Sequence, residues 1–229
     1  MMNLSRLNWD SDFFGLNIGK LVLSGEDDFL MSDIDGLDDY DLVYIFANHG
    51  CHIPIVGANL VDCKVIYKKS ISCNVEAKSN VVAFSENKPS SDLYELALQS
   101  GEYSRFRLDD KMPAGSYEKL YRRWIEQSVC KVIADVVLCY YYNGKIAGMV
   151  TVAIKDNVGR IGLVAVDSSC RGLGIGSALL ESVDSYVFGR GGHVVEVATQ
   201  LENTMACSWY EKNGYVVDSM TDIYHWWRK

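Results

Sequence analysis

No run of about 18 apolar residues occurs in the 229-residue chain, so the sequence offers no membrane-spanning helix. The first fifteen residues, MMNLSRLNWDSDFFG, lack the apolar core of a secretory signal, and the expectation is a cytoplasmic chain. Positive charge is in short supply. With 22 Lys plus Arg against 30 Asp plus Glu the net charge is −8, which speaks against nucleic acid as a partner. The seven cysteines are an odd, scattered set with no CxxC pair, which predicts reduced thiols and no metal. No Gly-Lys-Ser or Gly-Lys-Thr occurs, so a Walker phosphate loop is ruled out.

What is present is an ordinary globular balance, 48% hydrophobic and 23% charged, in a chain long enough for one large domain or two small ones. The acidic excess is local. Glu26 to Asp41 holds eight carboxylates and no Lys or Arg, which reads as a solvated face rather than a binding surface.

The richest stretch is GRIGLVAVDSSCRGLGIGSALLES, Gly159 to Ser182. Ile161 to Val166 is a short β-branched run that reads as a buried strand. Asp167 to Gly174 is a turn, and from Ile175 onward Ala178, Leu179, Val183 and Tyr186 recur at helical spacing. A strand that feeds a Gly-rich loop opening a helix is an anion site: free first-turn N–H groups and the helix dipole both favour a phosphate. Arg171 adds a full charge at its mouth. Gly172 and Gly174 begin a dinucleotide fingerprint, but Ser177 stands where its third glycine belongs; Glu196, about 20 residues on, keeps that reading open. The alternative pattern is R-x-x-G-x-G, met by Arg171, Gly174 and Gly176.

Upstream, Leu42 to Ala47 and Val61 to Lys68 read as strands, Ile53 to Leu60 as a short helix, and Val81 to Phe84 as a strand. Trp9, Phe13 and Phe14 form a terminal aromatic cluster. The polar run Ser85 to Ser91 marks a boundary. Beyond it come a helix over Asp92 to Ser100, an extended loop over Ser104 to Asp109, and a helix over Ser116 to Cys130 capped by Ser116. Arg105 and Arg107 could meet an anionic substrate. Asp135 to Tyr142 and Lys145 to Ile154 form a hairpin about Asn143-Gly144, and Asp156-Asn157 turns into the central strand. His193 to Thr199 is a strand and Asn203 to Lys212 a helix. Tyr215 to Ser219 and Ile223 to Trp227 read as a final hairpin.

The R-x-x-G-x-G loop, this element order, and Asn203 followed by Tyr210-Glu211-Lys212-Asn213-Gly214-Tyr215 resemble the GNAT acyltransferases (Gcn5-related N-acetyltransferases). WDSDFFG, SRFRLD, YRRWIEQS and the closing YHWW are similar to one branch, the N-acetyltransferases of dTDP-4-amino-4,6-dideoxy-D-galactose (dTDP-fucosamine). The resemblance implies a mixed, mostly antiparallel α/β fold. A GNAT domain would span residues 89–229, and a small α/β subdomain over 1–88 would help shape the acceptor site. It implies acetyl-CoA as co-substrate without a metal, a nucleotide-sugar acceptor for surface polysaccharide, and a homodimer. It assigns Leu163, Val164, Ala165 and Val166 to pantetheine pairing. Arg171, Gly172, Leu173, Gly174, Ile175, Gly176 and Ser177 fall to the pyrophosphate, Asn203 to the pantetheine arm, and Tyr210 to protonation of the leaving thiolate. Arg105, Arg107, Phe13 and Phe14 are the candidate acceptor contacts, and Glu196 is a candidate base.

Overall fold

The computed structural model describes residues 4–23, 34, 36–51, 53, 55–72 and 79–229. A single sheet of ten strands runs through the described residues. Strand β1 is Ser5–Arg6, helix α1 Asn8–Phe14, β2 Ile18–Val22, β3 Leu42–Asn48, β4 Ala58–Ser70 and β5 Val81–Ala83. Helices α2 (Ser91–Ser100), α3 (Arg105–Leu108) and α4 (Ser116–Val129) follow. The C-terminal part is β6 (Val136–Tyr142), β7 (Lys145–Lys155), β8 (Val158–Val166), α5 (Ile175–Phe188), β9 (Val194–Gln200), α6 (Thr204–Lys212) and β10 (Val216–Trp227).

The strand order is β1-β2-β3-β10-β4-β9-β8-β7-β6-β5. Only β2 with β3 and β8 with β9 run parallel; every other pair is antiparallel. The mixed, mostly antiparallel α/β class is therefore as the sequence implied. The last strand, β10, lies between β3 and β4, so strands from both ends of the chain alternate. No helix among the described residues is long and apolar enough to cross a membrane.

Each face of the sheet buries its own core. On one face Leu93, Leu96 and Ala97 of α2 and Leu120, Tyr121 and Ile125 of α4 pack on Val137, Cys139, Met149 and Leu163. On the other, Ile175, Leu179, Leu180 and Val183 of α5 and Tyr210 of α6 pack on Val65, Tyr67, Val150 and Val197. A third cluster, around Val43, Ile45 and Trp226, lies under the N-terminal strands.

Local chemistry accounts for the element ends. Ser90 Oγ accepts the Leu93 amide and starts α2. Asn143 and Gly144, then Asp156 and Asn157, all take positive φ, the paired left-handed turn that matches the twist of a hairpin.

Four sequence expectations change. Residues 53–60 hold no helix among those described: 56–57 are a turn and β4 begins at Ala58, its exposed and buried residues alternating. The Ser104–Asp109 loop is not extended; Ser104 Oγ accepts the Phe106 amide and nucleates α3, a local bond that pattern reading overlooks. Helix α4 is preceded by Gly115 at φ 76, not capped by Ser116, which is its first helical residue. The final hairpin is one strand, because β10 absorbs its polar middle through a bulge between Val217 and Ser219 instead of reversing there. Of the acidic stretch, residues 26–33 and 35 lie outside the described set; Asp41 accepts the Asn17 amide and pairs with Arg228.

Helix α5 sits close on the sheet because Gly159 carries no side chain; a Cβ there would stand 2.3 Å from Val187 Cγ2. Val187 is itself fully buried. Gly159→Ala is expected to lower folding stability by about 1–3 kcal/mol, the usual penalty of overpacking, as read from the urea midpoint.

Candidate active site

The central feature is a fork in the sheet. Strands β8 and β9 pair in parallel from Val158↔Val194 to Ile161↔Val197 and no further. Beyond that point β8 runs on to Val166 with partners on β7 alone, and β9 runs on to Gln200 with partners on β4 alone. The register of β8 against β7 shifts between Ile161 and Val164, and the Leu163 amide is met by the Thr151 hydroxyl at 2.8 Å. Each parted strand presents an edge of backbone N–H and C=O groups, which an extended ligand can pair with as a strand would. Leu163, Val164, Ala165 and Val166 lie on one arm of this fork.

At the tip of β8 the chain enters the glycine loop. Asp167 Oδ1 accepts the Ser169 amide at 2.9 Å and starts a short 3-10 turn, Ser168–Cys170. Gly172 and Gly174 then adopt φ 81 and 78, the left-handed region that a glycine enters without penalty. Gly176 is needed for a different reason: a Cβ there would stand 2.9 Å from the Trp209 ring. No side chain caps α5 at Gly174, so the amides of Ile175, Gly176 and Ser177 have neither an intrahelical acceptor nor a cap. Leu173 is exposed, and the exposed Arg171 donates to the Val166 carbonyl at 3.4 Å near the Asp167 carboxylate. Together these groups gather backbone donors and one positive charge at the start of α5, the arrangement that suits an anion.

Past the other arm, Asn203 caps α6: its Oδ1 accepts the Ala206 amide at 3.2 Å. Tyr210 follows two turns later, 2% exposed, among Tyr67, Trp209 and Tyr215 at ring distances of 5.6, 4.8 and 5.6 Å. Tyr67 pairs with Val197, the residue at which β9 leaves β8, so this aromatic cluster is level with the vertex of the fork. Burial pushes the Tyr210 phenol far above its ordinary pKa, so it stays protonated through the neutral range. Among the described residues its hydroxyl makes no hydrogen bond.

The opposite face of the sheet holds a cluster of buried polar groups. Asp62 of β4, Tyr44 of β3 and His225 of β10 share that face, and Arg105 of α3 reaches down onto them. The guanidinium lies 3.9 Å from Asp62 Oδ2 and 5.0 Å above the Tyr44 ring, which stacks on His225 at 4.9 Å. Asp109 Oδ2 is bonded to His225 Nδ1 at 2.5 Å and accepts Trp227 Nε1–H at 2.9 Å. Among the described residues four buried atoms here have no hydrogen-bond partner: Tyr44 Oη, Asp62 Oδ1, Arg105 Nε and His225 Nε2. Leaving one such group unmet ordinarily costs about 1–3 kcal/mol, so four together are a concentration of polar atoms that a hydrogen-bonding guest would satisfy. Burial raises the Asp62 carboxyl to about 6, against the pull of Arg105. Burial likewise lowers His225 and keeps it neutral; with Nδ1–H donated to Asp109, Nε2 is left as an acceptor. Hydrogen bonds also couple this polar cluster to the fork. Lys64, two residues beyond Asp62, pairs with Gln200 at the free end of β9, and the Leu201 amide bonds the Cys63 carbonyl.

The remaining sequence candidates lie apart from this polar cluster. Arg107 is exposed and rests over the Tyr117 ring at 5.6 Å. Phe14 is buried against Phe106, whereas Phe13 is half-buried, stacked on the exposed Trp9 at 4.8 Å beneath the Lys119 ammonium. Glu196 is paired with both Lys68 and Arg160, at 3.3 and 3.1 Å. Sequence reading missed Tyr44, Asp62, Asp109 and His225. Asp109 and His225 lie inside runs that carried the resemblance, SRFRLD and YHWW, which was the available signal; Tyr44 and Asp62 sit unmarked in alternating strands.

Comparison with known proteins agrees with this architecture. The pattern described as the acetyltransferase (GNAT) family matches residues 92–215. A curated relative, the dTDP-fucosamine acetyltransferase of Escherichia coli O6:H1 strain CFT073, is 28% identical over 222 residues, 95% of each chain. A functionally unknown conserved protein from Staphylococcus epidermidis superposes with a TM-score of 0.60 at 14% identity, covering 91% of this chain and 84% of its own. An acetyltransferase of the GNAT family from Novosphingobium aromaticivorans does so at 0.54 and 17%, covering 87% and 79%. At such identities these two structures speak for the fold alone.

The Asp62 carboxyl is expected to titrate near pH 6 in carbon-detected NMR, and Arg105→Gln to move that midpoint upward, because the guanidinium is what pulls it down.

Proposed function

The chain belongs to the acetyltransferase (GNAT) family, and from that premise we propose that it moves an acetyl group from acetyl-CoA to the 4-amino group of a dTDP-linked 4-amino-4,6-dideoxy sugar. The observation that carries the acceptor assignment is the buried cluster beside the fork, with four polar atoms unpartnered among the described residues. A deoxyamino sugar brings what those atoms lack: hydroxyls that both donate and accept, and an amine that donates. The near full-length similarity to a dTDP-fucosamine acetyltransferase supports the choice of nucleotide sugar.

The residues fit the co-substrate. The uncapped start of α5, the left-handed glycines and Arg171 suit a pyrophosphate. The backbone edge from Leu163 to Val166 suits the amides of a pantetheine arm, and Asn203 keeps its Nδ2 donor free after capping α6. Acetyl-CoA supplies the acetyl group as an activated thioester.

The chain's own groups then divide the proton traffic between the two faces of the sheet. Asp62, raised to about 6, is ionised at neutral pH and takes a proton from the sugar ammonium, either directly or through water. Arg105 and the neutral His225 hold the sugar hydroxyls so that the amine faces the fork. Tyr210, protonated on the far face, is the donor for the departing thiolate. Residues 1–88 contribute Tyr44 and Asp62 to this cluster, and residues 89–229 contribute Arg105, Asp109 and His225.

CoA release can be followed with dTDP-4-amino-4,6-dideoxygalactose, its glucose epimer, spermidine and kanamycin as acceptors. One dTDP-amino sugar is expected to turn over. Asp62→Asn should lower kcat about 10²–10⁴-fold, as loss of a general base does. It should also abolish the fall in kcat/KM below about pH 6, since the wild-type carboxylate is lost as pH drops through its raised pKa. Tyr210→Phe should lower kcat by about 10²-fold at least. Turnover of spermidine and kanamycin alone overturns the acceptor assignment and leaves the family intact.

A further inference from the structure

The face that carries α5 and α6 holds another convergence of side chains, remote in role from acetyl transfer. Cys63 of β4 and Asp222 of β10 stand directly opposite each other in the strand register. His49, in the turn that follows β3, reaches over both. Its Nδ1 lies 2.8 Å from Asp222 Oδ1 and 3.2 Å from Cys63 Sγ. One ligating atom from each of the three residues falls within 4.8 Å of the others.

A single ring nitrogen therefore faces two partners. In the metal-free arrangement Nδ1–H donates to the Asp222 carboxylate, which also accepts from the Cys63 thiol, so two protons stand where one cation could bridge all three groups. With a lone pair on Nδ1, the ring confronts the negative oxygen of Asp222. A cation in place of those protons satisfies all three donors at once. We propose that His49, Cys63 and Asp222 bind one divalent metal ion of the zinc class.

The donor set is one thiolate, one imidazole and one carboxylate, the mixture that borderline-soft Zn(II) takes. In a tetrahedral site with bonds of about 2.0–2.3 Å, ligand atoms stand about 3.2–3.6 Å apart. The two spacings from His49 Nδ1, 2.8 and 3.2 Å, need to open by ~0.5 Å or less to reach that geometry, with the sulfur and carboxylate already within 4.8 Å. The outer contacts are already in place. Asp222 Oδ2 accepts the Gly50 amide at 2.9 Å, which turns Oδ1 inward and fixes the carboxylate as a bonded ligand requires. Gly50 takes φ 79, the left-handed turn that brings its amide back to Asp222. Cys63 and Asp222 are buried while the His49 side chain is 43% exposed, so the ion enters past His49 and keeps a fourth position for water. On binding, the thiol proton leaves to solvent and the thiolate sulfur bonds the metal.

The ion joins the end of β3 to β4 and β10, the strands that present Tyr44, Asp62 and His225 on the other face. Its role is to hold that frame rather than to touch substrate. The sequence expectation of no metal misses it because the three ligands are 14 and 159 residues apart in the chain, outside any local spacing motif.

The test uses the full chain, stripped with a chelator and titrated with Co(II). The expected result is one ion per chain, with thiolate-to-metal charge transfer and tetrahedral d–d absorption, displaced by Zn(II). His49→Ala, at an exposed position, should fold as judged by circular dichroism. Its affinity should fall by more than the ~10–100-fold that loss of an outer partner costs. Cys63→Ser should lose the charge-transfer band; if that variant does not fold, His49→Ala and the stoichiometry decide the matter. Zn(II) should raise the Tm of the wild type and not that of His49→Ala. The site is overturned if the wild type shows no thiolate charge transfer, or if His49→Ala binds Co(II) as tightly as the wild type. Neither outcome bears on the acetyl-transfer assignment.

Discussion

Strand β10 pairs with β3 along one edge and with β4 along the other, from Thr221↔Asn48 to Trp227↔Leu42 and from Val216↔Lys68 to Trp226↔Ala58. It is the last strand among the described residues, so β3 and β4 cannot both reach their final neighbour until the C-terminal strand is in place. Pairings of such long sequence separation carry a loop-closure cost before they return any stability. What they achieve is a single rigid frame drawn from both ends of the chain. Because successive strand residues point to opposite faces, that frame sends Asp62 one way and Cys63 the other.

The fork gives this frame its use. Elsewhere the sheet is a barrier between two helical layers, one of α1 to α4 and one of α5 and α6. Where β8 and β9 part after Ile161 and Val197, the barrier opens. The polar cluster with Asp62 and Arg105 lies on the first face, near the free end of β9, and the cluster around Tyr210 lies on the second. Two groups to which the proposed reaction gives opposite proton duties are thereby kept apart and separately buried. Burial has the same electrostatic effect on both, opposing the charged form. At Asp62 it yields a carboxyl that titrates near neutrality, and at Tyr210 a phenol that keeps its proton.

Much of this was legible in advance because it rests on local chemistry. The glycine loop could be read from Gly172, Gly174 and Gly176, since backbone handedness and close helix packing each demand a residue without a side chain. The β6–β7–β8 meander could be read from Asn143-Gly144 and Asp156-Asn157, whose positive φ is a property of the turn alone. Helix α3 escaped because four residues held by one Ser104 cap leave no periodic pattern. The unity of β10 escaped because a bulge and a turn use the same polar residues, and only the presence of β3 and β4 on both sides decides between them.

The sequence by itself determined the glycine loop that opens α5, the order of the elements from β6 to α6 and the presence of a tyrosine on the helix after β9. Each of these is set by residues close together in the chain, where propensity, capping and turn chemistry act directly. Tertiary structure alone decided that Asp62, Tyr44, Arg105 and His225 meet in one cluster, and that His49, Cys63 and Asp222 meet on the reverse face. In sequence Tyr44, Asp62, Cys63, Asp222 and His225 look like ordinary strand residues. Their meaning comes from strand register, and register is a property of how distant segments bury their apolar faces together.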